Sequence, residues 1–252
     1  MPTTLLELVN TANRLLTPER FQDYCPNGLQ VEGRETIQRL VSGVTASFDL
    51  LEAALVAQAD AVLVHHGYFW KGEAAAIVGM KRARLRLLLR NDISLLVYHL
   101  PLDAHAELGN NAQLAQRLGI AITGGLEPGP NPIGNVGELP QPMELPEFGR
   151  LVEQRLGRKP QLIAGGNHSI KRIGWCTGAA QSYIEQAAAL KVDAFLSGEI
   201  SEQTVHAARE LGIHFIAAGH HATERYGVQA VGDYLATQLG IEHRFIDIDN
   251  PV

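Results

Sequence analysis

An internal repeat constrains this chain more than any other feature. Residues Ile37–Gly67 (IQRLVSGVTASFDLLEAALVAQADAVLVHHG) align without a gap over Ile170–Ile200 (IKRIGWCTGAAQSYIEQAAALKVDAFLSGEI), with eight of the thirty-one positions identical. Arg39 falls on Arg172, Glu52 on Glu185, and Asp60-Ala61 on Asp193-Ala194. Further on, Asn91–Val97 matches Leu211–Ala217, and Asn111–Ile120 matches Gly232–Ile241, both ending Leu-Gly-Ile. A shared order of short apolar runs and helical segments marks a duplication and predicts two α/β lobes built from βαβ units.

Leu5, Leu8, Val9, Ala12, Leu15 and Leu16 recur at helical spacing before Pro18, so the chain opens with an amphipathic helix. The pattern then reads as strand Leu40–Val44, helix Leu50–Gln58, strand Ala61–Val64, basic helix Lys81–Arg90, strand Ile93–Val97 and helix Asn110–Leu118. The stretch EPGPNPIGNVGELPQP (Glu127–Pro142) is the densest in Pro and Gly and is expected to be a linker. The expected layout is a first lobe over residues 1–126, a linker over 127–142 and a second lobe over 143–252. The C-terminal strand near Phe245–Ile248 is free on this reading to return to the first lobe's sheet.

The 252 residues suffice for one large α/β domain or two small ones. A net charge of −6 argues against a broad electrostatic grip on nucleic acid or an anionic membrane. No apolar run is long enough to span a bilayer, and the opening Met1–Glu7 lacks the features of a secretory signal. A cytoplasmic protein with two reduced thiols, Cys25 and Cys176, is expected.

In open α/β sheets ligands bind beyond the carboxyl ends of the strands. His65-His66 ends a strand in the first copy, and Gly198-Glu199 holds the equivalent place in the second. Neighbouring imidazoles at a strand end followed by Gly67 suit metal ligation; a surface turn bonded to water or backbone is the competing reading. In Gly219-His220-His221-Ala222-Thr223-Glu224, a helix starting here puts His220 and Glu224 on one face at i,i+4. His221 and Glu224, at i,i+3, are not excluded by spacing; His220 is preferred for the i,i+4 geometry, and Glu224 could instead serve only the helix dipole. Asp103, on the turn after His99-Leu100-Pro101, is either a cap or an oxygen ligand able to bridge two cations. His99 and His105 are candidates to support the ligands from behind, and are expected to be structural rather than catalytic. Three imidazoles and two carboxylates exceed what a closed structural zinc site needs and suit two cations about 3.5–4 Å apart.

The segments DYCPNGLQVEG, VLVHHGYFWKGE, YHLPLDAHAELGNN, FLSGEISEQTVHAARELGIHF, AAGHHATERYGVQAVGDYL and FIDIDNP resemble the Nif-three-like family over nearly the whole chain, Asp23 to Pro251. Its bacterial members are also called GTP cyclohydrolase 1 type 2 homologues or dinuclear metal centre proteins. The resemblance implies two divalent cations (Fe, Zn or Mn) held by His65, His66, Asp103, His220 and Glu224, in a cleft between similar, intertwined lobes. It also implies a toroidal hexamer. Chemically it points to a hydrolase in which a cation-bound hydroxide attacks a nucleotide ring, a related cyclic amide or a phosphoester. The alternative is a non-catalytic metal-binding hexameric scaffold or protein-interaction module.

Glu199, the repeat mate of His66, is expected near the metals without ligating them, as a general acid/base or as support for a ligand. Its competing role is to tie down Ser201 or a backbone amide. Thr45 and Thr177 are expected to line the cleft or pack in the core. The basic face Lys81–Arg86 reads as solvated, Trp70 and Tyr68 as wall, and neither cysteine has a sequence neighbour that would make it a nucleophile.

Overall fold

The computed structural model describes residues 2–252 and divides them into two compact α/β units. The first takes the chain up to Leu102 together with Gly227–Asp249; the second takes Asp103–Tyr226 with Asn250–Val252.

Among the described residues, the first unit carries a five-stranded sheet in the order Glu242–Phe245, Arg39–Thr45, Ala61–His66, Ser94–Val97, Gly28–Val31. All neighbours are parallel except Gly28–Val31, which runs antiparallel at one edge. The second unit has a six-stranded sheet in the order Ala121–Gly125, Asn135–Met143, Ile170–Cys176, Ala194–Ser197, His214–Ala217, Gln161–Ile163, with the three strands from Ile170 to Ala217 parallel.

Both parallel cores are buried on two faces, which is why their strands read as unbroken apolar runs rather than alternating ones. In the second unit Ile173, Trp175, Ala194, Leu196 and Ile216 join one apolar cluster, while the intervening Cys176, Phe195, Phe215 and Ala217 join another. In the first, Val41, Val62, Val64, Leu95 and Val97 pack together, and Leu40, Leu63 and Leu96 are buried between them in sequence.

The register of the two sheets follows the repeat. Leu40 faces Ala61 and Ala61 faces Ser94; at the aligned positions Ile173 faces Ala194 and Ala194 faces His214. Asp60 Oδ2 accepts from the Gln38 and Arg39 amides at 2.8 and 2.9 Å. Asp193 Oδ2 accepts from Lys171 and Arg172 at 2.9 and 2.7 Å. The same carboxylate therefore clasps the start of the same strand in each unit.

Two expectations change. Residues 127–142 lie wholly inside the second unit, and from Asn135 they form a sheet strand rather than a linker. The strand tolerates Pro140 and Pro142 because its ladder to Ile170–Cys176 is irregular between Glu138 and Met143. Asp103 sits in a short helix, Leu100–Ala104, and not in an open turn. As expected from the pattern before Pro18, the opening helix ends at Leu16, with Thr17 left-handed (φ 45°). The C-terminal strand Glu242–Phe245 does lie beside Arg39–Thr45 in the first sheet.

Candidate metal centre

In the first unit, the Ala61–His66 strand carries His65 and His66 to its carboxyl end. Although successive strand residues start on opposite faces, the two rings lie 4.5 Å apart at 46°. Gly67 permits the close turn that follows: a Cβ there would stand 2.3 Å from Val97 Cγ2 and 2.5 Å from Gln30 Oε1. His65 is fully buried and donates Nδ1–H to the Tyr98 carbonyl at 3.0 Å, which leaves Nε2 as the ligating nitrogen of the neutral ring. His66 Nδ1 is hydrogen-bonded to Thr45 Oγ1 at 3.1 Å, so Thr45 supports an imidazole.

A third imidazole joins them. His65, His66 and His99 each offer a ring nitrogen within 4.8 Å of the others, a group that could hold a metal ion. His99 Nδ1 meets Asp23 Oδ1 at 2.7 Å, and its backbone amide donates to Asn27 Oδ1 at 2.7 Å. Asp23 Oδ2 also accepts from Asn27 Nδ2 and from the Leu100 amide, at 2.8 and 2.9 Å. Burial raises the Asp23 carboxyl, but the bonds from His99, Asn27 and Leu100 outweigh it and bring its pKa down to about 2. Asp23 is the member of this pair that sequence reasoning misses, since it reads as loop, whereas His99 is already a candidate supporting group there. Their separation of 76 residues leaves no local spacing to read.

Burial, with Asp23 beside it, pushes the Cys25 thiol up to about 12, and burial holds Cys176 well above its ordinary value. Neither is a thiolate at neutral pH, in line with the sequence expectation. Tyr68 is buried and donates to the Ala46 carbonyl at 2.7 Å, whereas Trp70 stands edge-on to His99 at 5.0 Å.

In the second unit, Asp103 and Glu224 are buried carboxylates. Asp103 Oδ1 accepts from Asn110 Nδ2 at 2.9 Å and from Thr177 Oγ1 at 3.3 Å. Asn111 ties the same corner together, donating to the Asp103 carbonyl at 3.3 Å and accepting from the Thr177 amide at 3.1 Å. Thr177 thus supports Asp103 as Thr45 supports His66. The helix His220–Leu239 puts His220 and Glu224 on one face, with Nε2 3.1 Å from Glu224 Oε2. Glu199 Oε1 lies 2.7 Å from His220 Nδ1, so its carboxylate goes to an imidazole; Ser201 instead pairs with Thr204 in a capping box.

Burial alone would lower the pKa of His220, but the Glu224 and Glu199 carboxylates raise it to about 9. Without an ion the ring is therefore protonated, with Nε2 3.1 Å from Glu224 Oε2, and binding a cation there would release a proton. Gly178, at φ +68°, keeps the same space open, since a Cβ would come 2.2 Å from Glu224 Oε1 and 3.2 Å from His220 Nε2. Nitrogen and oxygen donors around space that a methyl group would fill fit a divalent first-row cation.

Fold and donors together define an α/β protein whose side-chain groups could hold a metal ion. The chain belongs to the DUF34/NIF3 (NGG1p interacting factor 3) family, whose model matches residues 3–251. A Pseudomonas aeruginosa protein named GTP cyclohydrolase 1 type 2 homolog is 62% identical over 252 residues, covering 100% of both chains. A solved structure described as protein ybgI, of unknown function, has a TM-score of 0.96 at 53% identity, covering 99% of this chain and 100% of that one. TTHA1606 from Thermus thermophilus has a TM-score of 0.90 at 33% identity, covering 99% and 100%. Among the described residues no helix is long and apolar enough to cross a membrane.

Proposed function

We propose that the protein is a metal-dependent hydrolase holding two divalent cations (Fe, Zn or Mn) on His65, His66, Asp103, His220 and Glu224. Its substrate is a nucleotide or a related cyclic amide or phosphoester, and it works in the cytoplasm as a toroidal hexamer. The observation that carries the reading is the pairing of His220 with the buried Glu224, facing space that Gly178 keeps clear.

A bound cation supplies Lewis acidity toward a carbonyl or phosphoryl oxygen. The chain's own residues hold the donors in place. The Tyr98 carbonyl fixes the His65 tautomer, and Asn110 and Thr177 fix the Asp103 carboxylate. Glu199 orients His220 through Nδ1 and is the acid/base candidate of the second unit. Asp23 holds His99 beside His65 and His66, where its imidazole can accept or return a proton.

The test is elemental analysis of the purified protein, followed by reconstitution with Fe, Mn or Zn and a screen of nucleotides and phosphoesters. Two metals per chain and turnover abolished by Asp103→Ala are expected. Inertness with every metal would favour a scaffold.

A further inference from the structure

Beside the His220–Glu199 pair the second unit has a recess of about 320 Å³ whose lining includes Arg158, Lys159, Gln161, Glu199, Pro251 and Val252. It opens where Ala194–Ser197 and His214–Ala217 reach their carboxyl ends, the place where open α/β sheets take ligands. Arg158 and Lys159 come from the turn between the helix Leu145–Leu156 and the strand Gln161–Ile163. Gln161 pairs with Ala217, which sets that turn at the strand end.

Glycine at 219 is what lets the guanidinium in. With φ +101°, its missing Cβ would stand 2.5 Å from Arg158 Nη1 and 2.7 Å from Cδ, so Arg158 lies flat on the backbone one residue before His220. Arg158 commits one Nη2 donor to the Pro251 carbonyl at 2.5 Å, and a guanidinium has five. Among the described residues, neither Arg158 nor Lys159 is in an ion pair. The acid in the recess, Glu199, is engaged by His220.

The geometry points to an anion subsite: Arg158 and Lys159 bind the phosphate of a phosphorylated small molecule whose reacting part extends toward His220. This names the substrate class of the proposed hydrolase and rests on that reading. A planar fork and a point charge are the usual pair for phosphate oxygens, and the volume is at the small end of ligand sites, fit for a phosphate with a compact body.

The test uses the protein as purified, titrated with inorganic phosphate and with a nucleoside 5′-monophosphate by calorimetry. The double variant Arg158→Gln/Lys159→Gln should weaken both by about tenfold or more, as loss of charge-assisted bonds does. Lys159→Gln alone, at an exposed position that disturbs no contact, should weaken them by a smaller factor. Arg209→Gln, an exposed cation outside the recess, should change neither. Unchanged affinity in the double variant, or no phosphate binding by the wild type, overturns the subsite. Metal content of the same samples is read separately: loss of phosphate binding with metals retained supports the subsite. A wild type without metals counts against the hydrolase reading alone.

Discussion

At position 178 the backbone turns left-handed, and the only atom missing from it is the one that would collide with Glu224. Gly178→Ala is therefore expected to strip metal from the purified protein while leaving its far-UV circular dichroism unchanged; elemental analysis checks this. The added strain at positive φ, of order 1–3 kcal/mol, should also lower the melting temperature by a few degrees. Asp23 permits a prediction in pH. Its carboxyl is held at about 2 in the fold against 3.8 for the free group. A depressed carboxylate stabilises the fold above its unfolded value, and that contribution fades as pH drops from 3.8 through 2. Asp23→Asn should cost about 2 kcal/mol at pH 7 in urea unfolding, and the gap to wild type should shrink below about pH 4 and close only below about pH 2. The five proposed ligands stand out in the sequence because they sit in compact polar strings, such as HHG or GHHATE. Asp23 does not: its partner lies far along the chain, and a lone Asp among Pro, Asn and Gly reads first as a turn.

Helices and strands are legible wherever an apolar run has both faces covered, and the gapless repeat alignment carries through to identical strand register. The strand Asn135–Met143 is not legible, because its glycines and prolines give the local signature of a loop and only pairing on both sides makes it a strand. The two aspartates that clasp equivalent strands provide a test at this scale. Asp60 is buried and also pairs with Arg34 at 2.9 Å, whereas Asp193 is half-exposed. Replacing either with Ala leaves two backbone amides unbonded. Asp60→Ala should cost about 2–3 kcal/mol and Asp193→Ala about 1–2 kcal/mol, measured by urea titration. Equal costs would show that burial does not set the difference.

Over the whole molecule, each unit is completed by a segment from the other half of the sequence. The helix Asn110–Leu118 continues the first repeat copy, yet Leu114, Ala115 and Leu118 pack with Phe148, Val152 and Ile173 in the second unit. Conversely Gly227–Asp249, from the second copy, belongs to the first unit and supplies its edge strand. The sequence leaves the return of the C-terminal strand open but gives no sign that Asn110–Leu118 joins the second unit, since a pattern of strands and helices says nothing about which core a closing helix joins. Fragments 1–126 and 143–252, expressed separately, should show neither dispersed amide resonances nor a cooperative melt. The intact chain should sediment as six subunits if the proposed ring forms.

The exchange also has a consequence for synthesis. The strand Arg39–Thr45 leaves the ribosome roughly two hundred residues ahead of its neighbour Glu242–Phe245. At cellular translation speeds of about 5–20 residues per second, the nascent sheet waits roughly ten to forty seconds with an unpaired margin. During that interval it is a natural client for a chaperone, and codon choice over the final helix and strand becomes a determinant of yield.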